Sequence, residues 1–450
     1  MMRSMYSAVS GLKTHQTKMD VIGNNIANVN TVAFKSSRVT FSDVLYQTTS
    51  SASGTNDITG TGGVNAKQIG LGVSTAATKI DITSEGASET TGDALDMKIS
   101  GDAFFIVSNG SSNYFTRDGS FYIDGNGNLC MSSTGYNVMG WQTQVNADTG
   151  EIEIVRDTVS ALQPMTAASL VSPPEATANA TASGIIDSNT DSLASDGYVL
   201  NLNFYDALGY SYTAKFSVTS TGTDGVFNIA LTDILDSNGV SIGADLATAF
   251  NGTAANAATQ LVYDQTSGTL TNTGTAGLTT LTLNLDALGI DSFTTDITID
   301  FSGTYNYDND GTSTLGLDRG DTSGNNAGCT VGSMIGLSVQ NDGKIYGSYD
   351  NNRTILLGQI ATTTFANASG LESMGNNCYA ATLNSGEFDG IGEDVTASGG
   401  SITTGVLEMS NVDLSSEFTS MITTQRGFQA NSRVITTSDT LLEELINLKR

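Results

Sequence analysis

Residues 407–448 read LEMSNVDLSSEFTSMITTQRGFQANSRVITTSDTLLEELINL, and they decide how the rest of the chain is organised. Taken in sevens, Leu407, Leu414, Met421, Phe428, Ile435 and Leu442 are all apolar. The positions three further on, Glu417, Thr424, Asn431 and Ser438, are polar until Leu445. This is a narrow apolar seam at helical spacing, thinner than the stripe that seats a helix on an ordinary core. Asp413 suits a helix N-cap, and Ser415, Ser416 and Glu417 fill a first turn that favours acids and hydroxyls. A helix from Leu414 to Leu448 would run roughly 50 Å. Its middle holds Thr423, Thr424, Gly427, Val434, Ile435, Thr436 and Thr437, all poor helix formers, so it needs a partner.

The other end of the chain offers one. Met5, Leu12, Met19 and Ile26 are again seven apart, followed three residues later by Ala8, His15, Ile22 and Val29. The periodicity leaves two arrangements open. The terminal helices pair with each other or with copies of themselves, or both pack separately on one domain.

Composition narrows the rest. A chain of 450 residues holds two to four domains. Its 50 Gly and 3 Pro, with abundant Ser, Thr, Asn and Asp, suit β-rich domains with many turns. The net charge of −28 is unevenly placed. Residues 1–40 carry five bases against Asp20, whereas residues 41–407 carry 39 acids against 9 bases. So acidic a middle argues against nucleic acid and anionic membranes as partners. Cys130, Cys329 and Cys378 are too few and too scattered for a disulfide framework. No apolar run is long enough to span a membrane, and no cleavable signal peptide is expected.

Along the chain, Asn24, Asn25, Asn28 and Asn30 predict that the first helix ends near Asn28. Residues 29–69 read as an extended or hairpin segment, with a Ser/Thr/Gly-rich linker at 48–65. From Gly70, short strands alternate with Asx-Gly turns at Asn109, Asp118, Asp124 and Asn126. All three prolines lie between 164 and 174 and mark a boundary. A second β-rich region follows, with a hairpin predicted around Asp206-Ala207-Leu208-Gly209. The style of 70–163 returns after 321. The expected fold class is therefore α+β and nested: terminal helices 1–28 and 408–450, a discontinuous β domain of 70–163 plus 321–407, and an inserted outer β domain at 164–320.

Catalytic chemistry is hard to build from these residues. The one histidine, His15, sits on a helical seam, so a Ser–His–Asp or Cys–His site would have to use it. DGNGNLC at 124–130 resembles the start of a calcium loop, but Leu129 stands where Gly is needed and Gly135 where a bidentate Glu is needed. No metal site, cofactor or enzyme activity is expected.

The two termini resemble the bacterial flagellar axial proteins of rod and hook. SMYSAVSGLKTHQTKMDVIGNNIANVNTVAFKSSRVTF carries that family's asparagines, Asn24, Asn25, Asn28 and Asn30, and its Phe34-Lys35 pair. Val32-Ala33 stands where many members have a residue followed by Gly. SNVDLSSEFTSMI and QRGFQANSR match the family's carboxyl-terminal signature through Asn411, Asp413, Gln425, Arg426, Gly427, Phe428, Asn431 and Arg433. Four interior stretches resemble hook-type members: TRDGSFYIDGNGNL, FYDALGYSYTAKF, LGQIATTTFANASGLESMGNNCYAATLNSGE and SGGSITTGVLEMSNVDLS. The resemblance implies paired terminal helices forming an inner coiled-coil layer around a channel, with β domains outside. It implies a curved helical homopolymer, a universal joint that passes torque from rod to filament. Met5, Leu12, Met19, Ile22, Ile26, Leu414, Met421, Phe428, Ile435, Leu442 and Leu445 would then be assembly contacts, disordered at both ends before assembly. The implied partners are further copies, rod, hook-cap and hook–filament junction proteins and the type III export apparatus. The implied location is extracellular, reached without signal cleavage. Segments 48–65 and 164–184 are the expected hinges. The alternatives are a distal rod or hook-associated junction protein and, from another class, an acidic β-rich surface adhesin.

Overall fold

The structure, a computed structural model, describes residues 2–55, 60, 62–146, 152–194, 197–242, 259–273, 279–285 and 291–448. The chain divides into two compact units. The first comprises residues 1–166, 337–347 and 355–450, and the second comprises residues 167–336 and 348–354.

In the first unit, helices Met2–Ala27 and Leu414–Asn447 lie against each other. Strand Ser37–Asp43 then pairs antiparallel with Val73–Ile80, and this ribbon packs on the amino-terminal helix. Between its strands the chain makes a second ribbon, Tyr46–Ser50 with Lys67–Gly70, extended by a bridge between Ser53 and Val64. The loop or linker expected at 48–65 is therefore corrected at both of its ends, which form part of a ribbon; residues 56–59 and 61 lie outside the described residues. Ser and Thr tolerate extended backbone, and hydroxyls on both faces suit a ribbon wet on both sides.

The β part of this unit is organised by strand Phe104–Ser108, buried along its whole length. Alternation sends Phe105 and Val107 into one apolar cluster, with Met97, Phe121, Leu129 and Val138. Phe104 and Ile106 enter another, with Ile82, Phe115, Trp141 and Tyr379. The strand is thus a partition between two core layers. The turn at Asp124 joins Phe121–Ile123 to Leu129–Met131 as a hairpin. Its carboxylate accepts hydrogen bonds from the Asn128 side chain, the Asn128 N–H and the Asn126 N–H, which hold it below the usual carboxylate range.

The second unit is a sandwich. One sheet runs Tyr198–Tyr205, Ser211–Ser220, Val226–Leu235, Thr259–Tyr263 and Leu270–Thr273, all antiparallel. The other contains Thr280–Leu283, Ile297–Asn306, Asn179–Ile186 and Gly316–Arg319, in that order. Its central pair, Asn179–Ile186 and Ile297–Asn306, is parallel, and the first sheet lies within the chain that crosses between them. The hinge expected over 164–184 is corrected for Asn179–Ile186, which is a strand of this sheet. Leu202, Phe204, Phe216 and Val218 face Ile297, Ile299 and Phe301 across one apolar core.

Candidate assembly surface and the junction that supports it

The two terminal helices are antiparallel. Gly11 lies opposite Asn431 and His15 opposite Gly427, so four residues up one helix is four residues down the other. Ten residues further in each direction, the Asn25 side chain donates to Glu417 Oε1 at 3.0 Å. The contact is made of small and polar groups. A Cβ added to Gly11 would stand 2.7 Å from Asn431 Nδ2, and one added to Gly427 would stand 2.7 Å from the His15 ring. These glycines weaken their helices but let the backbones approach. The buried hydroxyls satisfy themselves: Thr14 donates to the Gly11 carbonyl, Thr424 to Ser420 and Ser438 to Val434.

The apolar heptads are only partly covered by this contact. Met5, Leu12, Met19 and Ile26 stay half-exposed, and Ala8 and Ile22 of the amino-terminal set are buried. On the partner helix Met421, Ile435 and Leu442 are half-buried, while Leu414, Phe428 and Leu445 are exposed. Phe418, Ile422, Val434 and Leu441 are exposed as well. They fall into two stripes at helical spacing, Leu414–Phe418–Ile422 and Val434–Leu441–Leu445. The polar positions 424 and 438 are the buried ones, because close backbone approach needs small side chains.

Where the helices leave the rest of the unit, both chain ends converge on one buried ionic group. Lys35 Nζ lies 2.7 Å from Glu408 Oε1 and also donates to the Ser84 carbonyl at 2.6 Å. Gly86 N–H donates to the same Glu408 oxygen at 2.9 Å. Arg117 approaches the other oxygen at 3.8 Å, donates to the Gly101 carbonyl and lies over the Phe104 ring. Lys35, Arg117 and Glu408 are almost wholly shut off from solvent. Burial pushes the proton affinities of Lys35 and Arg117 down, and the Glu408 carboxylate opposes that in both.

Two asparagines complete the junction by standing in for missing strand partners. Asn25 accepts from the Ser37 N–H and donates to the Ser37 carbonyl, both at 2.9 Å. Asn411 accepts from the Ser36 N–H at 2.7 Å and donates to the carbonyls of Asp81 and Ser84. A primary amide carries donor and acceptor on one short stem, which suits both positions. Asp413 caps its helix through the Ser415 N–H. Asn28 closes the first helix by donating to Asn24 and accepting from Thr31.

Of the residues singled out from sequence, Asn25, Lys35 and Asn411 come together here, and Gly427 and Asn431 meet the opposite helix. Asn24, Asn30, Gln425, Arg426 and Arg433 lie on the surface, and Phe34 engages through its backbone. Glu408 and Arg117 were missed; Glu408 is a lone charge between Leu407 and Met409, a weak but readable sign of a buried pair, whereas Arg117 stands beside Asp118 and carries no such sign. Asn377 was missed too, and reaches the Val32 carbonyl from a turn in which it and Asn376 have positive φ.

The site's three charges come from three separate segments, and family models match each of them. The flagella basal body rod protein model matches residues 5–35, which include Lys35. The flagellar hook protein FlgE/F/G D1 domain matches 98–161, with Arg117, and the flagellar basal body rod FlgEFG protein C-terminal model matches 403–448, with Glu408. Among whole-chain relatives, flagellar hook protein FlgE of Borreliella burgdorferi is 36% identical, with 100% of both chains covered. Flagellar hook protein FlgE of Treponema pallidum is 33% identical over 100% of both. Flagellar basal-body rod protein FlgG of Bacillus subtilis is 30% identical, again over 100% of both.

Proposed function

This chain belongs to the flagellar hook protein family and is a structural subunit of the flagellar hook; on that premise we propose that copies of it assemble through the apolar stripes of its terminal helix pair. The observation that carries the proposal is the exposure of Leu414, Phe418, Ile422, Val434, Leu441 and Leu445 on a helix whose polar side is already occupied. Completing the burial of each such side chain contributes about 1 kcal/mol. A row of them repeated around a helical lattice favours a closed inner layer. The β-rich parts of each copy lie outside that layer, and small displacements between copies let the tube bend while it turns, as a universal joint. Rod, cap and junction proteins at the two ends, and export through the type III apparatus without signal cleavage, complete the reading.

Electron microscopy of the full-length chain beside a form comprising residues 29–413 tests it. The cut follows Asp413 because an earlier one would remove Glu408 and Asn411 and unsettle the β unit itself. Tubes from the full-length chain and a folded monomer from the shortened one are expected. Compact monomers from both would sink the proposal. A second reading, a rod subunit, is favoured by the full-length rod-named relative from Bacillus subtilis. Rigid straight tubes would select it over curved ones.

A further inference from the structure

We propose that His15 is an acid-sensitive latch that holds the two terminal helices together when neutral and loosens them when it takes up a proton. It is the chain's one histidine and stands at the helix crossing. Its ring lies against the Gly427 backbone on one side and meets Phe41 edge-on, with centroids 5.6 Å apart. Nδ1 is shut off from solvent and has no hydrogen-bond partner. An unprotonated ring nitrogen tolerates that position far better than an imidazolium N–H, which would be a buried donor with no acceptor.

The surrounding charges work in the same direction. On its own helix the facing group is Lys18, whose ammonium lies 5.8 Å from the centroid of the same Phe41 ring. The ribbon strand presents Phe41, and the carboxyl-terminal helix presents Gly427 and Asn431, none of which titrates. Asp43, two residues beyond Phe41, is engaged by the Tyr46 hydroxyl. Arg38 pairs in register with Lys79 further along the ribbon, and Arg426 turns to Gln429. No carboxylate among the described residues is placed to receive a charge on His15. Burial first, and Lys18 second, lower its proton affinity below the ordinary value of 6.5. The ring borders an open cleft shared with Val73 and Asn431, so a proton reaches it without prior separation of the helices.

The direction follows from linkage. A base whose folded-state affinity is lowered binds its proton more readily once released. The stabilisation is therefore complete above about 6.5 and declines as the pH falls from there toward the folded value. Each unit of lowering shifts the closed–open equilibrium by up to about tenfold. The latch acts within one chain, so it stands whether or not the apolar stripes are the assembly surface.

The test uses the full-length chain with carbon-13-labelled histidine, whose one imidazole gives one resonance to follow against pH. Alongside it, amide-exchange protection of residues 5–26 is compared between the wild type and His15→Phe from pH 7 to pH 5. Phe keeps an aromatic edge for Phe41 and cannot titrate. The expected results are a midpoint below 6.5 and a protection that falls with acidity in the wild type only. A midpoint at or above 6.5, or the same pH dependence in both proteins, overturns the proposal. If His15→Phe fails to fold, the wild-type resonance decides alone.

Discussion

In the sandwich of the second unit, Phe204, Phe216 and Phe301 are completely buried, while on the carboxyl-terminal helix Phe418 is half exposed. The same residue type serves two purposes. Inside the sandwich, apolar side chains from two sheets close a core within one chain, and the buried hydroxyls of Tyr263 and Thr304 are paired at 2.8 Å. In the helix pair the balance shifts: glycine, threonine, serine and asparagine fill the closest contact, Ile22 is buried beside them, and Leu414, Phe418, Ile422, Val434, Leu441 and Leu445 face away. A helix pair held by small polar groups is geometrically defined but gains little from the hydrophobic effect. What it retains is unsatisfied apolar surface, and that surface belongs to whatever assembles on it.

The largest expected effects break this comparison at its two poles. Phe216→Ala should lower the unfolding stability of the chain by about 3–5 kcal/mol through a cavity in the sandwich, read by urea denaturation. Phe418→Ala removes an equally large side chain, and monomer stability should move by no more than about 0.5 kcal/mol. Its effect should appear in assembly, as a raised critical concentration for tube formation. Equal destabilisation of the monomer by both would mean that Phe418 is already spoken for within the chain.

Next comes the junction that carries the helices. Glu408→Gln keeps the shape of the side chain but leaves Lys35 and Arg117 buried without their counter-charge. Removing one partner of a buried pair costs about 3 kcal/mol or more, well above the 1 kcal/mol or less of an exposed ion pair. Arg156→Gln, which breaks a pair whose arginine is exposed, is the matched control and should change the urea midpoint little. A small loss in Glu408→Gln would show that the lysine and arginine find water once the carboxylate is gone.

These contrasts also explain which features were legible in the sequence. The hairpins at Asp124 and Asp206 rest on turn chemistry contained within five residues, so local reading reaches them. The terminal helices are legible because a seven-residue period survives along both. Their pairing with each other was one of the two arrangements that period left open, but the residues that make the closest contact, Gly11, Thr14, Thr424, Gly427 and Asn431, are not ones a hydrophobicity pattern singles out. On the amino-terminal helix the heptads mark the packed side as well as the element: Ala8 and Ile22 are buried, and Met5, Leu12, Met19 and Ile26 are half-exposed. The parallel pairing of Asn179–Ile186 with Ile297–Asn306 leaves no local trace either, since nothing near one strand specifies a partner more than a hundred residues away. Glu408 was hidden for a related reason: a lone acid looks solvated until its two distant cations are brought to it.

The smallest expected effect sharpens the comparison at a single backbone position. Ala33 is buried and has φ of 55°, in the left-handed region that a Cβ disfavours. Its N–H donates to the Glu408 carbonyl at 2.7 Å, so the strained residue is held by the same segment that supplies the buried carboxylate. Replacing it with Gly removes the clash between Cβ and the backbone, worth about 1 kcal/mol, but also enlarges the freedom of the unfolded chain. The relief exceeds the entropy only slightly, so Ala33→Gly should raise the urea midpoint by a small amount. A fall instead would mean that the buried methyl group contributes more by packing than its backbone conformation loses. In that case the junction, like the sandwich and unlike the helix pair, is held chiefly by apolar contact.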